Sequence, residues 1–271
     1  MIFISYAQLV KDVIAWSQQL PRDLDLIVGL PRSGMVPAAV LALHRNIRLT
    51  TVNDFRDGRI FTGGFRDQHT EIKTAMVIDD STLSGRSLAA ASETLKHLKS
   101  IKIYYGAVYA KNTTGLHYKQ VDLPRIFEWN WLHHYWMKQA CVDIDGVLCQ
   151  DPTSAQNNDG LNYLKFLHTV GPKHIPTVQV NTLVTSRLER YRAETVKWLF
   201  KHHVSYKKLI MHPAASAIVR RKLNDHGKRK AMVYRDPEYK LFIESSDRQA
   251  KEIHKLTGKP VFCTDTMCLL S

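Results

Sequence analysis

The sequence predicts an α/β protein of two domains, each a mostly parallel sheet flanked by helices, and three observations carry that prediction. Short apolar runs of strand length alternate with helix-spaced segments from Leu24 to Tyr109 and again from Ala140 to Cys263, the rhythm of parallel strands joined by crossover helices. Between the two series the composition changes to a cluster of aromatics, Phe127, Trp129, Trp131, Tyr135 and Trp136, interleaved with His133 and His134. Each series also contains an apolar run that ends in a pair of acids, Asp79/Asp80 in the first and Asp143/Asp145 in the second. A length of 271 residues is enough for two ordinary cores. The boundary is expected near residue 138, giving domains 1–137 and 138–271 with the aromatic cluster as a packed connector.

In order along the chain, Tyr6 to Leu20 carries apolar residues at helical spacing and is stopped by Pro21. Leu24 to Gly29 reads as a strand, followed by the turn Leu30-Pro31-Arg32-Ser33-Gly34, a helix over Val36 to His44 and a strand over Ile47 to Val52. Asn53 to Ile72 is polar and bears Gly58, Gly63 and Gly64, so it is expected to be a long loop or hairpin. Ala75 to Ile78 is a strand ending in Asp79 and Asp80, then come a Ser/Thr/Gly turn, a helix over Ser87 to Leu98 and a strand over Ile103 to Tyr109. In the second half, strands are expected at Ala140 to Ile144, Asn181 to Val184, Leu209 to Met211, Leu241 to Ile243 and Pro260 to Cys263.

Composition narrows the function classes. No apolar run reaches the roughly 18 to 20 residues of a membrane span, and the N-terminus lacks the pattern of a signal peptide, so a cytoplasmic protein is expected. Cys141, Cys149, Cys263 and Cys268 have neither disulfide-framework nor zinc spacing and are expected to be buried free thiols. The formal charge of +13 favours phosphate-rich partners. No nucleic-acid motif accompanies that charge, so no nucleic-acid partner is expected. The basic residues Arg220, Arg221, Lys222, Lys228, Arg229 and Lys230 are read mainly as a solvated face.

The run Ala75 to Ser87 joins a strand, two acids, a small-residue turn and a helix start. Main-chain N–H groups of such a turn and of a helix N-terminus can wrap a phosphate, and serine and threonine hydroxyls can add donors. Two carboxylates beside that phosphate can accept from ribose hydroxyls. This run resembles the phosphoribosyl pyrophosphate motif of type I phosphoribosyltransferases. The resemblance implies that Asp79 and Asp80 bind the ribose hydroxyls and that Ser81, Thr82, Ser84, Gly85, Arg86 and Ser87 hold the 5-phosphate. It also implies that Pro31, Arg32 and Ser33 belong to the pyrophosphate loop, with Asn53 to Ile72 as a mobile flap. Where the family more often has a second glycine this chain has Leu83-Ser84-Gly85-Arg86, which adds charge at the loop mouth. Helix capping is the plainer role for the two acids. In the chemistry, bond breaking at ribose C1 makes the sugar oxocarbenium-like, and Mg2+ with protein donors neutralises the departing pyrophosphate.

The second acid pair lies in Cys141-Val142-Asp143-Ile144-Asp145-Gly146-Val147-Leu148, at i and i+2 past an apolar strand, which places both side chains on one side. Asp-x-Asp-Gly-Val-Leu resembles the nucleophile motif of the haloacid dehalogenase superfamily. The resemblance implies that Asp143 attacks phosphorus and Asp145 moves the proton. Thr185, in Leu183-Val184-Thr185-Ser186-Arg187, would bond the transferring phosphoryl group. Lys230, with Lys228 and Lys240 as rivals, would offset charge at the nucleophile. Asp143 and Asp145, with Glu244 or Asp247 from the strand end after Leu241, would hold Mg2+. About 35 residues separate Gly146 from the next core strand, which leaves room only for a minimal cap and implies an open site.

The whole chain is similar to fused phosphoribosyltransferase and phosphatase proteins of bacterial gene clusters, including systems that add ribofuranose to polysaccharides. That resemblance implies transfer of 5-phosphoribose from phosphoribosyl pyrophosphate to a glycan or lipid-linked acceptor, then hydrolysis of the 5-phosphate of the phosphorylated ribosyl intermediate. Contact with the inner membrane surface would fit the positive charge. Two other readings stay open on the sequence: nucleobase or nucleotide metabolism with a nucleotide phosphatase, and a non-catalytic sensor of phosphoribosyl pyrophosphate.

Overall fold

In the computed structural model, which describes residues 1–61, 71–111 and 115–271, the chain divides into two compact units, Met1–Trp129 and Asn130–Ser271. Both are α/β units built on mostly parallel sheets flanked by helices.

In the first unit, β2 (Leu26–Gly29), β3 (Arg48–Thr51), β4 (Thr74–Thr82), β5 (Lys102–Ala110) and β6 (Leu116–Gln120) form a parallel sheet in the order β3-β2-β4-β5-β6. β2 and the first seven residues of β4 are buried throughout, as expected of parallel strands covered on both faces. Side-chain alternation sorts them. Ile27, Met76 and Ile78 pack with Leu9, Val13 and Trp16 of α1 (Tyr6–Ser17) and Leu41 of α2 (Met35–Arg45). Leu26, Val28, Ala75 and Val77 pack on the other face with Phe55 of α3 (Val52–Arg56) and with Ala91 and Leu95 of α4 (Arg86–Leu95). Each fully buried Leu, Ile or Val contributes about 1.5–3 kcal/mol. α1 starts where the Ser5 hydroxyl accepts from the Gln8 N–H at 3.1 Å. Gly85, at φ +75°, supplies the left-handed residue before α4. A parallel pair, β1 (Ile2–Ile4) with β7 (Arg125–Phe127), stands apart from the main sheet and had no clear signal in the sequence.

The second unit has a sheet in the order β10-β9-β8-β11-β12-β13. Its strands are β8 (Ala140–Val142), β9 (Val180–Leu188), β10 (Tyr206–His212), β11 (Leu241–Glu244), β12 (Val261–Cys263) and β13 (Cys268–Leu270). All pair in parallel except β13, which turns back along β12. α8 (His226–Tyr234) and α9 (Asp247–Thr257) pack on it through Ala231, Tyr234, Ala250 and Ile253. Tyr163, Phe166 and Leu167 of α5 (Leu161–Thr169) pack with Leu188 and Tyr191 in a further cluster, and α6 (Arg192–Lys201) lies against α5. α7 (Ala217–Leu223) precedes α8. Between β8 and β9 the chain forms α5 as its helix.

Several expectations change. Asn53–Arg56 is helix α3 rather than loop, because the Thr51 hydroxyl caps it, accepting from the Asp54 N–H at 3.1 Å and donating to the Asp54 carboxylate at 2.7 Å. Phe61 bridges to Leu49, and the middle of the expected flap, 62–70, lies outside the described residues. Strand β4 runs on through Asp79 and Asp80 to Thr82. The aromatic cluster is split: Phe127 stacks on Trp129 at 4.9 Å in the first unit, and Trp131 meets Phe262 at 5.1 Å in the second. Cys141, Cys149 and Cys263 are buried thiols, but Cys268 is exposed because it sits on the edge strand β13. The basic run is not wholly a solvated face, since Arg220 and Lys230 are buried. Among the described residues no helix is long and apolar enough to cross a membrane.

Candidate functional site

In the first unit the connection from β2 passes to β3 on one side while β4 lies on the other, so the carboxyl ends of β2 and β4 meet at a topological switch point, the place where α/β sheets open a crevice. Two loops meet there. Leu30 donates its N–H to the Ile78 carbonyl at 2.9 Å, and the Leu30–Gly34 turn follows, with a cis peptide between Pro31 and Arg32. Gly34 is required by contact: a Cβ there would lie 2.6 Å from the Leu30 carbonyl oxygen and 2.7 Å from that of Ile78. The turn can therefore lie directly against β4.

Asp79 and Asp80 are both buried at that end of β4. The Asp80 carboxylate is held from two sides, by the Ser33 hydroxyl at 2.9 Å on one oxygen and the Trp129 indole N–H at 2.7 Å on the other. Asp79 accepts the Asp80 main-chain N–H at 2.9 Å. Burial pushes the Asp79 carboxyl up to about 8, and neighbouring Asp80 adds to the rise. Beyond them, Ser81 and Thr82 are half-buried and Ser84, Arg86 and Ser87 are exposed. The Thr82 hydroxyl accepts the Gly85 N–H at 3.0 Å, folding the turn into the start of α4, whose first N–H groups have no intrahelical partners. Pro31 and Arg32 are exposed at the mouth of the first loop. The structure thus brings Ser33, Asp79 and Asp80 into contact and sets Ser81 to Ser87 immediately beyond them.

A cavity of about 610 Å³ lined by Ser17, Gln18, Arg22, Leu24, Arg45 and Ile47 lies at the amino ends of β2 and β3, the opposite end from the acids. Its Arg45 is spent on structure, donating to the Ser17 hydroxyl at 2.9 Å and the Leu20 carbonyl at 3.1 Å, with further donation to the Ser17 and Pro21 carbonyls.

In the second unit β8 is flanked by β9 and β11, so Asp143 emerges at the carboxyl edge between them. Lys230 reaches in from α8. Its ammonium donates to Asp143 at 2.5 Å, to Glu244 at 2.6 Å and to Gln249 at 3.0 Å. Burial alone would lower the lysine, but Asp143 and Glu244 outweigh it and hold it charged. Burial pushes the Asp143 carboxyl up, Lys230 opposes the rise and Glu244 adds to it, since two carboxylates share one ammonium. Asp143 also accepts the Ile144 N–H at 2.8 Å.

Asp145 has a different partner. Arg187, fully buried on β9, donates to it at 2.7, 3.1 and 3.2 Å, and also to the Cys149 sulfur at 3.2 Å. Thr185 is buried two residues earlier on the same strand and accepts the Arg187 N–H at 3.2 Å. Gly146 takes φ +79°, and a Cβ there would meet the Ser245 hydroxyl at 2.1 Å. Lys228 is exposed and Lys240 precedes β11, so Lys230 is the lysine that contacts Asp143.

The expected metal ligands come together only in part: Asp143 and Glu244 meet at the Lys230 ammonium, while the other two turn to different partners. Asp247 opens α9 and pairs with Lys251 at 2.6 Å, and Asp145 is committed to Arg187. Glu244 spends one oxygen on Lys230 and the other on the N–H groups of Ser245 and Ser246, at 3.0 and 3.1 Å. Among the described residues no group of three His, Cys, Asp or Glu side chains is placed to hold a metal ion. As arranged, this set does not fit a resident metal.

Sequence reasoning missed Trp129 and Arg187. Arg187 was within reach, because alternation along a strand puts it on the side of Thr185. Trp129 was not, since its bond to Asp80 spans 49 positions.

No protein-family model matches the chain, and no curated protein matches it. Solved structures with a similar fold cover about half of it. The purine phosphoribosyltransferase of Pyrococcus horikoshii is 21% identical over 47% of this chain and 92% of its own, with a TM-score of 0.37. The xanthine-guanine-hypoxanthine phosphoribosyltransferase of Helicobacter pylori is 20% identical over 48% of this chain and 91% of its own, also at 0.37. A hypoxanthine-guanine phosphoribosyltransferase of Bacillus anthracis is 17% identical over 45% of this chain and 84% of its own, at 0.32.

Proposed function

We propose that the chain is a bifunctional enzyme. The first unit transfers 5-phosphoribose from phosphoribosyl pyrophosphate to an acceptor, and the second hydrolyses the 5-phosphate to leave a ribofuranosyl unit. The observation that supports it most is the pair of acids at each sheet's carboxyl edge, each pair gripped by side chains from other elements: Asp80 by Ser33 and Trp129, Asp143 by Lys230. Residues held so firmly are poised for a ligand rather than for capping their own helices.

In the first unit Asp79 and Asp80 accept from the ribose 2- and 3-hydroxyls. Ser81, Thr82, Ser84, Gly85, Arg86 and Ser87 surround the 5-phosphate, and Pro31, Arg32 and Ser33 face the pyrophosphate. Mg2+ enters with phosphoribosyl pyrophosphate as part of the substrate. The bond from C1 to pyrophosphate breaks as the acceptor oxygen or nitrogen bonds to C1 and loses its proton; the protein's share is positioning and charge.

In the second unit an Asp143 oxygen attacks phosphorus while the bond to the sugar oxygen breaks, and that oxygen takes a proton from Asp145 and leaves as the alcohol, which readies Asp145 to accept one in the next step. Water then cleaves the aspartyl phosphate, with Asp145 accepting its proton. Arg187 orients the Asp145 carboxyl group through donors at 2.7, 3.1 and 3.2 Å. Thr185 bonds the phosphoryl group and Lys230 offsets its charge.

A glycan or lipid-linked acceptor at the inner membrane surface agrees with the +13 charge. Destroying a nucleotide product would gain a salvage enzyme little. The test is to incubate the protein with phosphoribosyl pyrophosphate, Mg2+ and a panel of nucleobase, polyol, glycan and polyprenyl-phosphate acceptors, and to follow pyrophosphate release. Release that needs a glycan or lipid acceptor and is lost in Asp79→Asn/Asp80→Asn supports the reading. Release that needs a nucleobase favours salvage, and tight binding without release favours a sensor.

A further inference from the structure

Nine-tenths-buried cations in the second unit differ in one respect. Arg187 and Lys230 each face carboxylates. Arg220 of α7, only 8% exposed, pairs with none among the described residues. One of its terminal nitrogens donates to the Ser186 carbonyl at 2.7 Å and the other to the Asn157 side-chain oxygen at 3.1 Å, while its buried Nε has no partner. A guanidinium has five N–H donors, so most of its capacity is unused. A buried charge answered only by neutral oxygens is costly, and the cost is removed when an anion joins it.

The position of this cation gives it meaning. Ser186 directly follows Thr185 at the carboxyl edge of β9. The Ser186 hydroxyl lies 2.8 Å from Nδ1 of His226, the first residue of α8, and Lys230, one turn further along that helix, holds Asp143. His226 is kept neutral, pushed down to about 4 by burial and then by the charges of Arg220 and Lys230. It can therefore supply a hydrogen bond without adding charge. Its neighbour His212 is anchored by Asp225 at 3.2 Å, with the two imidazoles 6.3 Å apart.

We propose that Arg220, with His226 and Asn157, forms a second oxyanion subsite beside Asp143, so that the second unit selects phosphomonoesters that carry a further phosphate-like group. The choice of substrate rests on the phosphatase reading given above, but the subsite itself does not.

Two measurements on the full chain separate these. With arginine labelled at 15Nε, the Arg220 resonance, identified by its loss in Arg220→Lys, shifts saturably on addition of inorganic phosphate; a resonance that does not move overturns the subsite. For turnover, ribose 5-phosphate is compared with ribose 1,5-bisphosphate. Arg220→Met raises KM for the bisphosphate about tenfold or more and leaves that for the monophosphate within about twofold, with partial recovery in Arg220→Lys. Equal change for both esters, or no change for either, assigns Arg220 to holding the Ser186 main chain and overturns the proposal. If the unaltered protein hydrolyses neither ester, the phosphatase reading fails, and the resonance alone decides whether the anion subsite stands.

Discussion

Replacing Lys230 by methionine keeps most of the side chain's volume and removes only its charge. Its ammonium is the shared partner of Asp143 and Glu244, at 2.5 and 2.6 Å, and all three side chains are almost wholly out of solvent. Without it, two carboxylates remain buried with no counter-ion. Breaking a buried pair in this way costs about 3–5 kcal/mol, a large share of the roughly 5–15 kcal/mol that holds a domain folded. At a urea dependence of about 2 kcal/mol per molar, the second unit's midpoint falls by on the order of 2 M. The loss also depends on pH. The folded Asp143 carboxyl already lies above its unfolded value because of burial, and removing the lysine lifts it further. A raised carboxyl contributes stability that is complete below its unfolded value and is lost as pH rises through the folded one. The variant is therefore damaged less near about pH 5 than near about pH 8. Urea unfolding followed by tryptophan fluorescence at both pH values measures this. A loss under about 1 kcal/mol, the range of an exposed pair, or one that is identical at both pH values, refutes the reasoning.

Trp129→Phe keeps the stack on Phe127 and removes the N–H that holds Asp80; KM for phosphoribosyl pyrophosphate rises about tenfold, corresponding to a charged hydrogen bond of about 1.5 kcal/mol, whereas Trp129→Ala also loses stability. Gly34→Ala drives a methyl into the Leu30 and Ile78 carbonyls and costs about 1–3 kcal/mol in thermal or urea unfolding, together with phosphoribosyl pyrophosphate binding measured by titration. Asp79→Asn abolishes transfer yet stabilises the fold. The Asp79 carboxyl is raised from 3.8 to about 8, so its contribution declines across that interval as pH rises, and the melting-temperature advantage of the variant grows with it.

The parts of this molecule that were legible in its sequence are those written locally. β2, β4, β8 and β11 announce themselves as short buried apolar runs, and Asp79, Asp80 and Asp143 announce themselves by following such runs. The grip on those acids was less legible, because it comes from side chains far along the chain: Ser33 is 47 positions from Asp80, and Lys230 is 87 from Asp143. Lys230 was found because a lysine was expected in that order, not because the local pattern distinguished it from Lys228. Helix α3 was hidden by its polar composition and revealed only by the Thr51 cap. The three-residue strands β1, β7 and β13 carry too few side chains to show a period. Arg220 looked like one more residue of a solvated basic face, and only the fold shows it buried.

Whether the two acid pairs act in series is tested most directly by the product of Asp143→Asn. Supplied with phosphoribosyl pyrophosphate, Mg2+ and an acceptor that supports pyrophosphate release, the unaltered protein yields a ribosylated acceptor without phosphate. The variant accumulates the same acceptor heavier by one phosphate, as read by mass spectrometry, with the rate of pyrophosphate release unchanged. A phosphate-free product from Asp143→Asn at the rate of the unaltered chain would contradict the account.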